Sequence, residues 1–247
     1  MRWFDSHAHF DETHTSELSE SIDRSVYGVD RVLIAGVSPD TFSEQVRFCL
    51  KNDFDFSLGI HPWFMNDESS LLLERLRSGL RCYEPRALGE CGLDKVRGAP
   101  WNKQEELFEA QLYCAQEFDL PVVIHSVRAH HHVLNHLKRM DLKRKGVVHG
   151  FYGNTQQALG FIELGYKIGI GLLICHERSK KLRKVVQDIP LESIVLETDL
   201  PINHFEKYVN GSYSLLDVAR TIADVRGESL ELVSEVTYLQ AEVLFSK

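Results

Sequence analysis

One pattern constrains the fold of this chain more than any other. Short, β-rich apolar runs recur eight times, each followed by a longer polar or amphipathic stretch. The runs are Arg2–His9, Arg31–Val37, Asp55–His61, Arg86–Leu93, Pro121–Val127, Gly146–Phe151, Tyr166–Gly171 and Ser193–Asp199. Helical spacing fills the intervals between them. In Gln104–Glu117, Leu107, Phe108, Gln111, Leu112 and Ala115 recur at three- and four-residue steps, and in Thr155–Leu164 Ala158, Phe161 and Ile162 do the same. Val122–Ile124 and Ser193–Leu196 are apolar on both faces, as strands of a buried parallel sheet must be. Eight alternations predict an α/β fold of the closed (β/α)₈ TIM-barrel type. An open doubly wound sheet would carry a Gly-rich phosphate loop, and the sequence has none. A length of 247 residues suits one such barrel, and no linker or repeat divides it, so residues 1–247 read as a single domain.

Composition narrows the setting. No apolar run reaches the roughly 20 residues that span a bilayer, and the N-terminal segment lacks the apolar stretch of a signal peptide. Five cysteines, odd in number and without C-x-x-C spacing, read as reduced thiols rather than a disulfide frame or a zinc site. The expectation is a cytoplasmic protein with no membrane partner and no evident obligate protein partner. The net charge of −8 argues against a general nucleic-acid coat, but it is unevenly spread. Residues 126–187 hold 12 Lys and Arg against 3 Asp and Glu, an excess of nine positive charges, so the remainder carries −17. That excess reads either as a solvated basic surface or as the footprint of a polyanionic substrate.

The chemistry lies in what ends the runs. In a βα barrel the active groups sit at the C-terminal ends of the strands. Here the first run ends in His7-Ala8-His9, the third in His61, the fourth in Glu90, the fifth in His125, the sixth in His149 and the eighth in Asp199. Singly, each is an ordinary polar residue. Together they place clustered imidazoles and carboxylates at one barrel mouth, which is costly unless a cation holds them. Side chains alternate along a strand, so His7 and His9 point the same way. Asp5 shares that face one layer deeper, where it is expected to orient an imidazole.

Four imidazoles and two carboxylates exceed what one tetrahedral ion needs, and two ions bridged by Glu90 use them economically. No lysine stands at a strand end to form a carbamylated bridge. Mixed His and carboxylate ligation suits Zn²⁺, Mn²⁺, Co²⁺ or Ni²⁺, and Mg²⁺ less well. The implied reaction is hydrolysis by a water deprotonated between two divalent cations, with Asp199 as the general base. His61 either assists at the reacting group or caps the loop before Pro62. Asp94 is expected to support a ligand from behind.

Seven co-linear motifs carry a family resemblance: DSHAHFD (Asp5–Asp11), GIHP (Gly59–Pro62), GECGLD (Gly89–Asp94), LPVVIHS (Leu120–Ser126), VVHGFYG (Val147–Gly153), YKIGIG (Tyr166–Gly171) and ETDLP (Glu197–Pro201). The chain resembles the TatD family of metal-dependent deoxyribonucleases over almost its whole length. The resemblance implies a nucleic-acid substrate. It also implies that His7, His9, Glu90 and Asp199 hold one cation, while Glu90, His125 and His149 hold the other. The chain departs from the family pattern beside these ligands, at Gly150, at Ser126-Val127-Arg128-Ala129, at Leu200-Pro201-Ile202-Asn203 and at Gln240. The leading reading is an exonucleolytic phosphodiesterase. A metal-dependent ester or amide hydrolase, acting for instance on an aminoacyl ester, is the alternative, and a metal-binding scaffold without turnover is a third.

Four further features stay outside this set. Arg178–Lys184 reads as a phosphate contact or a solvated helix face. Lys138–Lys145 precedes strand six and belongs at the opposite barrel end. His130-His131-His132 fans around a helix and reads as surface. Trp63 and Phe64 either stack a base or wall the pocket.

Overall fold

Each of the eight apolar runs supplies one strand: β1 (Phe4–Ala8), β2 (Arg31–Ala35), β3 (Asp55–Leu58), β4 (Ala87–Asp94), β5 (Val122–Val127), β6 (Gly146–Val148), β7 (Lys167–Ile170) and β8 (Ile194–Leu196). They form one parallel sheet in sequential order, β1 to β8. The computed structural model describes residues 1–9, 28–65, 69–200 and 214–246. Phe10 and Asp11 of the first motif, and Pro201, Ile202 and Asn203 after the last strand, lie outside them. The two edges meet just beyond the ladders, where the Asp199 amide donates to the His7 carbonyl at 2.9 Å and the His9 amide to the Leu200 carbonyl at 2.9 Å. The result is the (β/α)₈ barrel that the alternation predicts.

The described helices are α1 (Phe42–Asn52), α2 (Ser69–Tyr83), α3 (Trp101–Glu117), α4 (His130–Met140), α5 (Thr155–Glu163), α6 (Lys180–Asp188), α7 (Leu215–Arg226) and α8 (Leu230–Phe245). The two helical segments read from spacing are α3 and α5. Among the described residues no helix is long and apolar enough to cross a membrane.

Two layers of core account for the strand composition. Outward side chains such as Val32, Ile34, Val122, Ile124 and Val148 pack under the helices. Inward ones form a separate cluster: Phe4, Leu33, Ala87, Val123, Val147 and Val195 from the strand beginnings, with Tyr238, Ala241 and Phe245 of α8. The last helix therefore plugs the N-terminal end of the barrel. Arg144 donates to the Leu244 and Ser246 carbonyls, so the Lys138–Lys145 run sits at that plugged end, as expected.

Regular alternation places His125 two residues beyond Val123 and His149 two beyond Val147, both inward. Two strands break the rule. Between Asp5 and Ala8 the β1 chain spends three steps where β2 spends two, and β4 does the same against β5 between Leu88 and Cys91. Each extra residue is a β-bulge that flips the side-chain parity. Consequently Phe4 and His7, three apart, both face inward, and so do Ala87 and Glu90. The bulged β4 lies very close to β5: a Cβ on Gly92 would sit 2.0 Å from the His125 carbonyl oxygen.

Candidate metal centre

At the open end of the barrel, five of the six candidate ligands and His61 gather around the sixth, the carboxylate of Glu90. Glu90 is buried, and its two oxygens face different partners. Oε2 lies 3.4 Å from His7 Nε2 and 3.5 Å from His9 Nε2. Oε1 lies 2.8 Å from His125 Nδ1, 2.7 Å from His149 Nε2 and 3.2 Å from His61 Nε2. Asp199 closes the first half, with Oδ1 3.1 Å from His9 Nε2 and 3.5 Å from His7 Nε2. Its side chain is half-exposed and that of His9 partly so, which marks the side on which the pocket opens. Asp199 adopts φ 59°, a left-handed conformation that Asp tolerates better than most residues.

Backing contacts fix the rings. Asp94 Oδ2 meets His125 Nε2 at 3.1 Å and accepts the Trp63 indole N–H at 2.7 Å, so His125 turns its Nδ1 to Glu90. The Asp94 Oδ1 atom accepts the Val96 and Arg97 amides at 2.7 and 3.0 Å, which anchors the carboxylate. His7 stacks on His149 with centroids 3.8 Å apart. His61 fills the structural one of the two roles anticipated for it. Its Nδ1 accepts the Trp63 amide at 3.1 Å and so steadies the loop, while its Nε2 reaches Glu90. Trp63 walls the pocket: it meets the His61 ring edge-on at 4.9 Å, and the Arg97 guanidinium covers it at 4.2 Å.

Electrostatics follow from this crowding. Burial opposes ionisation of Glu90, but His149, His61 and the hydrogen bonds from His125 and His149 outweigh it and hold the carboxyl well below its usual range. Asp199 is likewise driven down to about 2, because contacts with His9, His7 and His149 overcome its burial. Burial and neighbouring His149 push His7 down to about 4. His149 goes the other way: burial disfavours its charge, yet Glu90 lifts it to about 10.

Nitrogen and carboxylate donors at this density fit divalent cations. Among the described residues three sets of ligand atoms lie within 4.8 Å of one another: His7, His9 and Glu90; His7, His149 and Asp199; and His61, Glu90 and His125. The His7 and His9 Nε2 atoms point at each other across 3.1 Å, an arrangement a shared cation satisfies better than two imidazoles alone.

Two expectations need correction, and one further residue belongs to the site. Asp5 orients no imidazole. Its carboxylate accepts the Thr198 hydroxyl at 2.6 Å and the Thr198 amide at 3.0 Å, tying β1 to the chain beyond β8, because the β1 bulge removes it from the His7 face. His130 is not a surface residue. It is buried with its ring edge-on to Phe151 at 5.0 Å, while His131 is exposed. Glu197 stands in the ETDLP motif without an assigned role. It is fully buried, accepts the Gly150 amide beside His149, and is pushed up to about 8 chiefly by burial. The signal for it was its place two residues before Asp199, one residue past β8 and two beyond the inward Val195. Glycine at 169 makes room for it, since a Cβ there would meet its Oε2 at 2.3 Å.

Comparison with known proteins agrees with the barrel and with metal-dependent hydrolysis. Residues 4–246 match the model of a family described as TatD related DNase. An uncharacterized metal-dependent hydrolase of Haemophilus influenzae is 33% identical over all of both chains. A protein of a Rahnella strain named 3'-5' ssDNA/RNA exonuclease TatD is 32% identical, covering 89% of this chain and 88% of its own. The crystal structure of YjjV, a TatD homologue from Escherichia coli, superposes with a TM-score of 0.88 at 33% identity, covering 100% of this chain and 98% of that one.

Proposed function

The chain belongs to the TatD-related DNase family and is a metal-dependent hydrolase, and from that premise we propose that it hydrolyses phosphodiester bonds at the end of a nucleic-acid strand. The observation that carries the reading is the divided carboxylate of Glu90, one oxygen turned to His7 and His9 and the other to His125, His149 and His61. That arrangement suits a pair of divalent cations bridged by Glu90, with Asp199 completing one half. Zn²⁺, Mn²⁺, Co²⁺ and Ni²⁺ match the donors best, Mg²⁺ less well. Such cations, when bound, acidify water and offset charge on a phosphoryl group.

The residues divide the remaining work. Asp199, ionised far below neutral pH and open to solvent on one side, is placed to accept the proton of an attacking water. His61 has its Nδ1 occupied by the Trp63 amide, so its Nε2 carries the proton and presents it beside Glu90 Oε1 at 3.2 Å, where a non-bridging oxygen or the leaving group would compete for it. Asp94 and Trp63 hold His125 in place. Support for the nucleic-acid substrate comes from the exonuclease name of the Rahnella relative and from the positive excess in residues 126–187. A cytoplasmic setting belongs to the same reading, supported by five free thiols.

The test is to strip the protein with chelator, reload it with Mn²⁺, Zn²⁺ or Mg²⁺, and offer end-labelled single-stranded DNA and, separately, an aminoacylated RNA. The expected outcome is metal-dependent, stepwise shortening of the DNA. Release of the amino acid with intact DNA would transfer the assignment to ester hydrolysis.

A further inference from the structure

Beside the metal centre lies a second cavity that the proposed chemistry does not use. It is a cleft of about 760 Å³ whose lining includes Lys95, Ser126, Arg128, His130, Tyr152 and Lys181. It adjoins the centre directly, because Ser126 follows His125 and the cleft-lining Gly150 follows His149. Every charged side chain lining it is cationic. Among the described residues neither Arg128 nor Lys181 has a carboxylate partner: Lys181 rests only over the Tyr152 ring at 5.7 Å, and Arg128 is exposed. Lys95 is held at 2.8 Å from His132.

Two further observations point to a bound anion. The first turn of α4, His130 to His132, forms part of the lining, and its N-cap is Ala129, which offers no side-chain acceptor to the first amides. Open amides at a helix start, with the positive end of the helix dipole, form an anion site. The second is Ser126. It is 8% exposed, and its Oγ is buried without a hydrogen-bond partner. A buried hydroxyl without a partner is costly unless a ligand meets it. Arg128 leaves β5 with φ 52°, in the left-handed region, so its side chain departs from the line the strand would dictate.

We propose that this cleft is a phosphate-binding subsite, taking the phosphodiester of the same strand next to the one held at the metal centre. The assignment of the phosphate to a substrate strand rests on the phosphodiesterase reading above. Arg128 and Lys181 supply the countercharge, the α4 amides and the Ser126 hydroxyl supply neutral donors, and the exposed Tyr152 ring flanks the sugar and base. The subsite makes the enzyme selective for a chain of at least two phosphates over a small single ester.

The test measures binding apart from turnover. A fluorescent phosphorothioate oligothymidylate, charged but resistant to hydrolysis, is titrated into metal-loaded protein over a range of salt. The variants are R128A/K181A and, as a charge-matched control at the plugged end, K138A/K143A. The first pair is expected to weaken binding roughly tenfold or more, and to flatten the log–log salt slope by about 1.4, the value for two phosphate contacts on a single strand. The control pair is expected to match wild type. Equal losses in both pairs, or none in R128A/K181A, would overturn the assignment, as would wild type that does not bind. A parallel assay of wild type on unmodified, end-labelled single-stranded DNA, whose phosphodiesters are open to hydrolysis, tests the hydrolytic reading. Binding that follows the expected pattern without cleavage of this unmodified strand would sink that reading and leave the anion subsite standing.

Discussion

Replacing His130 with phenylalanine isolates the energetic consequence of burying an imidazole without a partner. Its ring lies edge-on to Phe151 at 5.0 Å and near Phe161 at 6.1 Å, its Nε2 has no hydrogen-bond partner, and it is 6% exposed. Burial, with a smaller contribution from Lys181, pushes it from 6.5 down to about 4. Between those two values the unfolded chain binds a proton that the folded chain refuses, so folded stability falls as pH drops through that window. At about 1.4 kcal/mol per pH unit, a gap from 6.5 to about 4 corresponds to roughly 3 kcal/mol. Phenylalanine keeps an aromatic ring against Phe151 and cannot take up the proton. Urea unfolding of wild type and H130F, in chelator, at steps from pH 7 to pH 4 would read the difference directly. The stability of wild type relative to the variant should decline by about 3 kcal/mol from pH 7 to pH 4. A constant difference across that range would show that His130 is solvated or protonated in the folded protein, and the argument from burial would fail.

Three other outcomes are expected. Substituting glutamine for Glu90 removes the charge that both imidazole sets share, so metal affinity should fall on the order of a hundredfold or more, with hydrolysis lost in step; metal analysis after dialysis, beside the DNA-cleavage assay, reads both. Mn²⁺ affinity should rise roughly tenfold per pH unit from pH 6.5 to 8.5, because His149, lifted to about 10 by Glu90, holds a proton that the cation must displace, whereas His7, at about 4, is already neutral; calorimetric titrations with a flat profile would contradict this. Gly92→Ala should cost about 2 kcal/mol or more and depress activity, since the added methyl meets the His125 carbonyl at 2.0 Å and the backbone there has φ 150°; a thermal melt equal to wild type would mean that β4 and β5 can separate freely.

What could be read before the structure depended on regularity. Strands β5 and β6 alternate without interruption, so His125 and His149 follow from Val123 and Val147 by counting. The ladder ends short of several ligands: His9, His61, His149 and Asp199 all stand just beyond it, which is why the apolar runs looked longer than the strands. The two bulges were not legible. Nothing in Asp5–Ala8 or Leu88–Cys91 announces an extra residue, yet the bulges are what bring Glu90 inward and send Asp5 to Thr198 instead of an imidazole. His130 was misjudged because three consecutive histidines suggest a polar face, whereas α4 turns only the first of them under Phe151 and Phe161. The approach of His61 to Glu90 joins the end of β3 to its neighbour β4, a contact between residues 29 positions apart in the chain that no local pattern encodes.

The plug formed by α8 has a bearing on traffic. With Phe4, Leu33, Val123 and Val195 filling the bore and Tyr238 and Phe245 stopping its far end, the barrel works as a socket and not as a tunnel. Nothing can be fed through it. Whatever is hydrolysed there must come in and go out on one side, so substrate and product compete for the same doorway beside His9 and Asp199.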